Sequence, residues 1–296
     1  MGRVSFVFSG QGDQFPGMGR ELYEKYPAAA RVFELCDNLR PGTKRQCFEG
    51  SVEELKETKN TQPCLFAMEL AAWAVLMEKG IVPDAVAGFS LGEVAAATAA
   101  GCFDLETGFK LVCKRGELMQ AESEKYDAAM AAVVRLSAEQ VSDLCRNFPD
   151  IWPVNFNGPG NTTVSGLAGQ MPAFTAAVKA AGGRALPLKV KGAFHSPLME
   201  PAAEAFALEL EGMKAPEIDL YSNVSGGLYG TDAASLLARQ IASPVRWETI
   251  IRTMIADGVD TFVEIGPGRT LTNMIQKIDQ NVTAKTVAEI LEEHPC

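Results

Sequence analysis

Gly88-Phe89-Ser90-Leu91-Gly92 fits the pattern G-x-S-x-G, in which flanking glycines let the chain turn sharply and project a serine hydroxyl as a nucleophile. The stretch lies between an apolar strand and a small-residue helix, the setting that pattern requires. The same residues could make a plain turn with a capping serine, but the strand-to-helix context favours the nucleophile. A nucleophilic serine needs a base, and the chain has two histidines, of which His294 lies in the tail. His195, in GAFHSPLM, is therefore the candidate base for Ser90, although a lone loop histidine is more often satisfied locally. Ser196-Pro197 read as the N-cap and first position of a helix over 198–210. The positive end of that helix should keep the imidazole neutral. Arg115 shares a helical line with Leu111 and Leu118. An arginine on an apolar line either snorkels to water or meets a buried anion, and the residues alone favour snorkelling.

Other polar positions have ordinary readings. Gln62 precedes Pro63 at a helix start, Asn155 and Asn157 flank Phe156 in a glycine-rich turn, and Glu264 to Gly268 links a strand to a helix. The opening stretch FSGQGDQFPGMG is rich in glycine, which brings the backbone close to something. Its Gly10-x-Gly12-x-x-Phe15 lacks the third glycine of a dinucleotide fingerprint, and no Gly-Lys-Ser/Thr follows for a phosphate loop. A backbone amide aimed at an oxyanion is the better use.

The elements that would position these residues alternate. Strands are predicted over 4–8, 85–89 and 261–265, with helices over 61–79, 91–100, 106–120 and 270–278, which indicates an α/β fold around a mainly parallel sheet. Residues 129–190 change rhythm to strand, helix, strand, strand, helix, strand, the order of a small ferredoxin-like unit. The expected organisation is a large α/β-hydrolase-like domain (1–125 and 192–296) with an inserted ferredoxin-like subdomain (126–191). The tail EILEEHPC reads as a frayed helix end.

The balance of 27 basic and 37 acidic residues gives a net charge of −10, which disfavours nucleic acid as a partner. Residues 65–77, interrupted by Glu69, are too short to span a bilayer, and no secretory pattern opens the chain. Seven cysteines without a CxxC pair suit reduced thiols in a cytoplasm and offer no zinc site.

Taken in order, FSGQGDQFPGMG, NTQP (60–63), GFSLGE (88–93), KRGELMQ (114–120), PVNFNGPG (153–160), GAFHSPLM (192–199), SPVRW (243–247) and EIGPG (264–268) resemble the malonyl-CoA:acyl carrier protein transacylases of type II fatty acid synthesis. They also resemble the related acyltransferase domains of polyketide synthases, and the likeness spans nearly the whole chain. It implies a ping-pong acyl transfer from malonyl-CoA to the phosphopantetheine thiol of acyl carrier protein through a malonyl-Ser90 intermediate, with no bound cofactor or metal. His195 would be general base and acid. The backbone amides of Gln11 and Leu91 would form the oxyanion hole. Arg115 would clamp the malonyl carboxylate, which places it on a buried anion instead of in water. Gln62, Phe194 and Asn157 would line the acyl pocket, and the backbone carbonyl of Arg246 would orient His195. A free-standing chain of this type is expected to be a monomer.

Two departures stand out. Phe89 replaces the histidine that many relatives carry before the nucleophile, and Arg246 replaces a glutamine found in some, placing a second cation near the site. Phe194 directly before the histidine accompanies malonyl rather than methylmalonyl units in polyketide acyltransferases, a difference of one methyl worth about 1–3 kcal/mol. A serine hydrolase is the competing reading, although no acidic residue between Ser90 and His195 stands out in a motif. An accessory carrier-binding protein is a third. Because carrier proteins are acidic, a local basic rim is needed, with Lys189 and Lys191 as candidates and Lys110 and Lys114 as lesser ones.

Overall fold

The computed structural model describes residues 2–190 and 192–295; the expectation for Lys191 falls outside them. The described residues form strands β1 (Arg3–Phe8), β2 (Ala85–Gly88), β3 (Ala128–Val134), β4 (Ile151–Gly158), β5 (Asn161–Leu167), β6 (Arg184–Pro187), β7 (Asp219–Tyr221), β8 (Val259–Ile265) and β9 (Thr283–Thr286). One sheet has the order β7-β2-β1-β8-β9 and every pairing in it is parallel. The other has the order β4-β5-β3-β6 and is antiparallel throughout, the ferredoxin-like arrangement.

The parallel sheet is buried on both faces, as crossover helices require. Phe6, Phe8 and Val86 join one core, while the alternate residues Val7, Ala85 and Ala87 join a second with Trp247 and Ile250. The helix Thr58–Glu78 is buried on nearly every side and packs against the helix Leu105–Ser123, which is why its apolar residues show no single stripe. It begins a turn earlier than Pro63 suggests, so the proline lies inside the helix rather than at its entry. β1 pairs with β2 on one side and β8 on the other, so the chain reverses its direction of winding at β1. Ligand sites of open parallel sheets lie at the carboxyl ends of strands flanking such a point.

The antiparallel sheet is set against that end. The segment around Val245 joins the two: Val245 N donates to Val154 O at 2.9 Å, and Phe156 N donates to Val245 O at 2.9 Å. Asn155 and Asn157 are thus strand residues of β4 and not turn formers. The tail helix is Val287–Glu293, closed at its start by a capping box of Thr286 and Glu289. Among the described residues no helix is long and apolar enough to cross a membrane.

Candidate active site

β2 ends at Gly88 and the helix Gly92–Ala99 begins four residues later, leaving Ser90 on a tight turn with a φ of 56°. Both glycines of the motif are required by close packing. A Cβ at Gly88 would lie 1.9 Å from the carbonyl carbon of Gly92, and one at Gly92 would lie 2.4 Å from the carbonyl oxygens of Phe8 and Ser9. His195 also occupies the left-handed region, with a φ of 61°, held by its amide donating to Ile241 O at 3.1 Å. Ser90 Oγ and His195 Nε2 meet at 2.7 Å.

His195 Nδ1 lies 2.8 Å from the carbonyl oxygen of Gln240. A carbonyl can only accept, so Nδ1 carries the proton and Nε2 is the lone-pair nitrogen facing Ser90. This corrects the expectation for Arg246. That residue is the N-cap of the helix Trp247–Ala256, and its carbonyl accepts from Ile250 N at 3.0 Å in the first helical turn. Its side chain is exposed and borders a separate groove with Phe156 and Arg252, so it is no second cation in the site. Burial and, second to it, the charge of Arg115 push the His195 imidazole down to about 4, against the carbonyls of Gln240 and Ser243. The chain after Ser196 first makes a 3-10 turn over Pro197–Met199 before the helix Glu200–Ala207.

Arg115 is fully buried and does not snorkel. Its Nη1 donates to Gln62 Oε1 at 2.8 Å, and its Nη2 donates to Gln240 Oε1 at 2.6 Å and to Ser90 Oγ at 3.3 Å. Its Nε is buried without an acceptor. Burial lowers its pKa to about 10, and the carboxylate of Glu93 opposes that shift, so the guanidinium stays charged at neutral pH.

Gln240 is the functional residue that the sequence hid. It is fully buried, its carbonyl meets His195, its Oε1 meets Arg115, and its Nε2 donates to Ser90 O at 2.5 Å. The one hint is a glutamine set within the apolar run LLARQIA. Asn223 carries no comparable signal, and Glu93 stands only as the last residue of GFSLGE. The Asn223 side chain bonds both Ser90 N and Gly88 O, and Glu93 Oε1 accepts from Asn223 N.

Ser90 and His195 open into a cavity of about 320 Å³ between the two sheets. Gln11, Leu91, Gln62, Phe194 and Asn157 all line it. Among the described residues the backbone N–H groups of Gln11 and Leu91 donate to no protein acceptor. Asn157 Nδ2 donates to Thr163 Oγ1 at 3.1 Å, while its Oδ1 is buried without a donor. Phe89 lines the same cavity and stacks edge-on against Trp247 at 5.5 Å. Asp13 is a further lining residue that its place among the opening glycines does not mark as one; burial pushes its carboxyl up to about 6, against a hydrogen bond from Thr270.

A serine hydroxyl at the end of a parallel strand, an imidazole nitrogen facing it, and a buried guanidinium beside it form the kind of site that an acyl-transferring α/β enzyme uses. Residues 5–293 match the family described as acyl transferase domain. The chain is 40% identical to the malonyl CoA-acyl carrier protein transacylase of Bacillus subtilis, over 97% of this chain and 93% of that one. The crystal structure of the malonyl CoA-acyl carrier protein transacylase of Clostridium perfringens superposes with a TM-score of 0.94 at 32% identity, covering 99% of this chain and 96% of that chain. A malonyl-transacylase in complex with a type II polyketide acyl-carrier protein gives a TM-score of 0.93 at 34% identity, covering 98% and 99%. The chain belongs to the acyltransferase family, and within it to the malonyl-CoA:acyl carrier protein transacylases.

Proposed function

We propose that the protein moves a malonyl group from malonyl-CoA to the phosphopantetheine thiol of an acyl carrier protein, through a malonyl ester on Ser90. His195 Nε2 takes the Ser90 Oγ proton as Oγ attacks the thioester carbonyl. The oxyanion is received by the N–H groups of Gln11 and Leu91. Collapse breaks the carbon–sulfur bond, and His195 returns the proton to the departing CoA thiolate. In the second half the carrier's thiol gives its proton to His195 and attacks the ester, and Ser90 leaves reprotonated. The Gln240 carbonyl keeps the imidazole in the required tautomer throughout. We take the carrier protein to be a transient partner and the chain to act as a monomer in the cytoplasm, without nucleic-acid or membrane partners. The unit of 126–191 serves as an inserted subdomain closing the acyl site.

The observation that carries this reading is Arg115, fully buried with Nη2 3.3 Å from the nucleophile. A buried guanidinium beside a nucleophile selects an acyl group ending in a carboxylate, which takes paired N–H donors and neutralises the charge. An esterase has no use for that cation. Phe194, packed at the cavity wall, adds preference for malonyl over its α-methyl homologue. Arg115→Ala should lower transfer from malonyl-CoA about 100-fold or more while sparing transfer from acetyl-CoA. Equal loss on both acyl groups in a steady-state assay would remove the clamp from the mechanism.

A further inference from the structure

A non-glycine residue at a φ of 56° keeps that conformation only where its surroundings over-determine it. Gln240 Nε2 and Glu93 N hold the Ser90 carbonyl, and one further side chain holds the Ser90 amide. Asn223, fully buried in the loop after β7, accepts from Ser90 N at 2.8 Å through Oδ1 and donates to Gly88 O at 2.6 Å through Nδ2. A single planar amide therefore spans the turn from Gly88 at the end of β2 to the serine itself. Each partner fixes the amide's orientation, because Ser90 N can only donate and Gly88 O can only accept.

Asn223 is itself held from behind. Its N–H donates to Glu93 Oε1 at 2.9 Å, and its carbonyl accepts from Arg246 N at 3.0 Å. Glu93 lies in the first turn of the helix that follows Ser90, is fully buried, and also accepts from Tyr229 OH at 2.7 Å. The loop after β7 is thereby tied to both sides of the nucleophile turn. By occupying Ser90 N, Asn223 also leaves Leu91 N as the next amide of the turn and the one without a protein acceptor.

We propose that Asn223 is a positioning residue for acyl transfer, clasping the turn so that Ser90 Oγ stays on His195 and Leu91 N stays on the developing oxyanion. The inference rests on the Ser90 reading above. The clasp makes no contact with the acyl group, so its loss should fall on the rate of acylation rather than on substrate binding.

The test is single-turnover malonylation of Ser90 by saturating malonyl-CoA, followed by mass spectrometry, in the parent, Asn223→Ala and Asn223→Asp. Aspartate can still accept from Ser90 N but cannot donate to Gly88 O. Both variants should acylate about 100-fold more slowly. The Kd for malonyl-CoA, measured in the Ser90→Ala background with and without Asn223→Ala, should change less than about twofold. A residue that only stabilises the fold would lower the unfolding temperature and leave the rate of the folded enzyme alone. A rate within about threefold of the parent, or a loss residing in Kd, overturns the inference. If neither variant folds, Tyr229→Phe carries the test, since it removes only the hydroxyl on Glu93: a loss of about fivefold in rate without change in Kd is expected, and an unchanged rate counts against the clasp. A parent that forms no malonyl-Ser90 brings down the transferase reading itself, which separates the two failures.

Discussion

His195 sits at a pKa of about 4, and its environment explains both its readiness and its dependence on substrate. Burial is the larger cause, and the positive Arg115 nearby is the second. A malonyl carboxylate on Arg115 would cancel that second cause and make His195 a stronger base when the right acyl group is bound. Deleting the cation should act in the same direction. A base must be unprotonated to work, so activity falls as pH drops through its pKa; raising that pKa moves the acid limb to higher pH. In Arg115→Ala the acid limb of kcat/KM for acetyl-CoA should therefore shift upward from about 4 toward, but not reaching, the ordinary value of about 6.5, because burial persists. A limb that stays in place would show that Arg115 does not tune the imidazole. Ser90 and His195 were legible because their side chains carry the chemistry and few alternatives existed. The carbonyl on Nδ1 was not, since any residue can supply a carbonyl and only the path of the chain decides which one does. Gln240 was placed there by the turn after the helix Ala233–Arg239, while Arg246 had its carbonyl taken by a helix.

At the scale of elements, the nucleophile turn depends on two chain segments crossing without side chains between them. Gly92 lies against the carbonyls of Phe8 and Ser9 at the end of β1, so the contact is backbone on backbone and neither side can yield. Gly92→Ala should cost about 3 kcal/mol or more. Gly80→Ala is the control: its φ of 74° strains an alanine, but nothing lies within 4 Å of the added Cβ. It should cost about 1–2 kcal/mol, and urea denaturation of the two variants reads the difference; equal losses would mean that the crossing at Gly92 relaxes around an added methyl group. Elements with caps and periodicity were readable from sequence. The helix Thr270–Ile278 was expected with its observed ends, and Glu264 accounts for the clean start by accepting from Leu271 N and Thr272 N. β7 (DLY) and β9 (TAKT) were not readable, being as short as β2 but without its continuous small apolar run. Of the helices between Arg20 and Lys56, three have only five to seven residues, too few to show a period, whereas Pro27–Leu39 carries a legible line in Ala29, Val32, Phe33 and Cys36.

At the scale of the molecule, the cavity is made by two sheets that meet, with Met130, Ala132, Asn155 and Thr163 of the small sheet facing the carboxyl end of the large one. The small sheet was legible as a unit; its facing the nucleophile was not, because the bridge through Val245 joins segments about ninety residues apart. The same arrangement bears on how a chain of net charge −10 receives an acidic carrier protein. Of the cations considered for docking, Lys110 and Lys114 are engaged by Glu106 and Glu209. Lys189 is exposed, between Leu188 and Val190, which both line the cavity. A positive charge at that rim would draw the carrier's acidic surface toward the opening through which its thiol must enter. Attraction across a solvated rim acts mainly on encounter and is screened by salt. Lys189→Glu should therefore lower kcat/KM for the malonyl acceptor protein about tenfold at low ionic strength, with the gap closing as salt rises. Loading of Ser90 from a small malonyl thioester such as malonyl-N-acetylcysteamine should be unchanged, because that substrate presents no acidic protein surface to the rim. Carrier transfer that ignores both the substitution and the salt would place the docking surface elsewhere on the cavity rim.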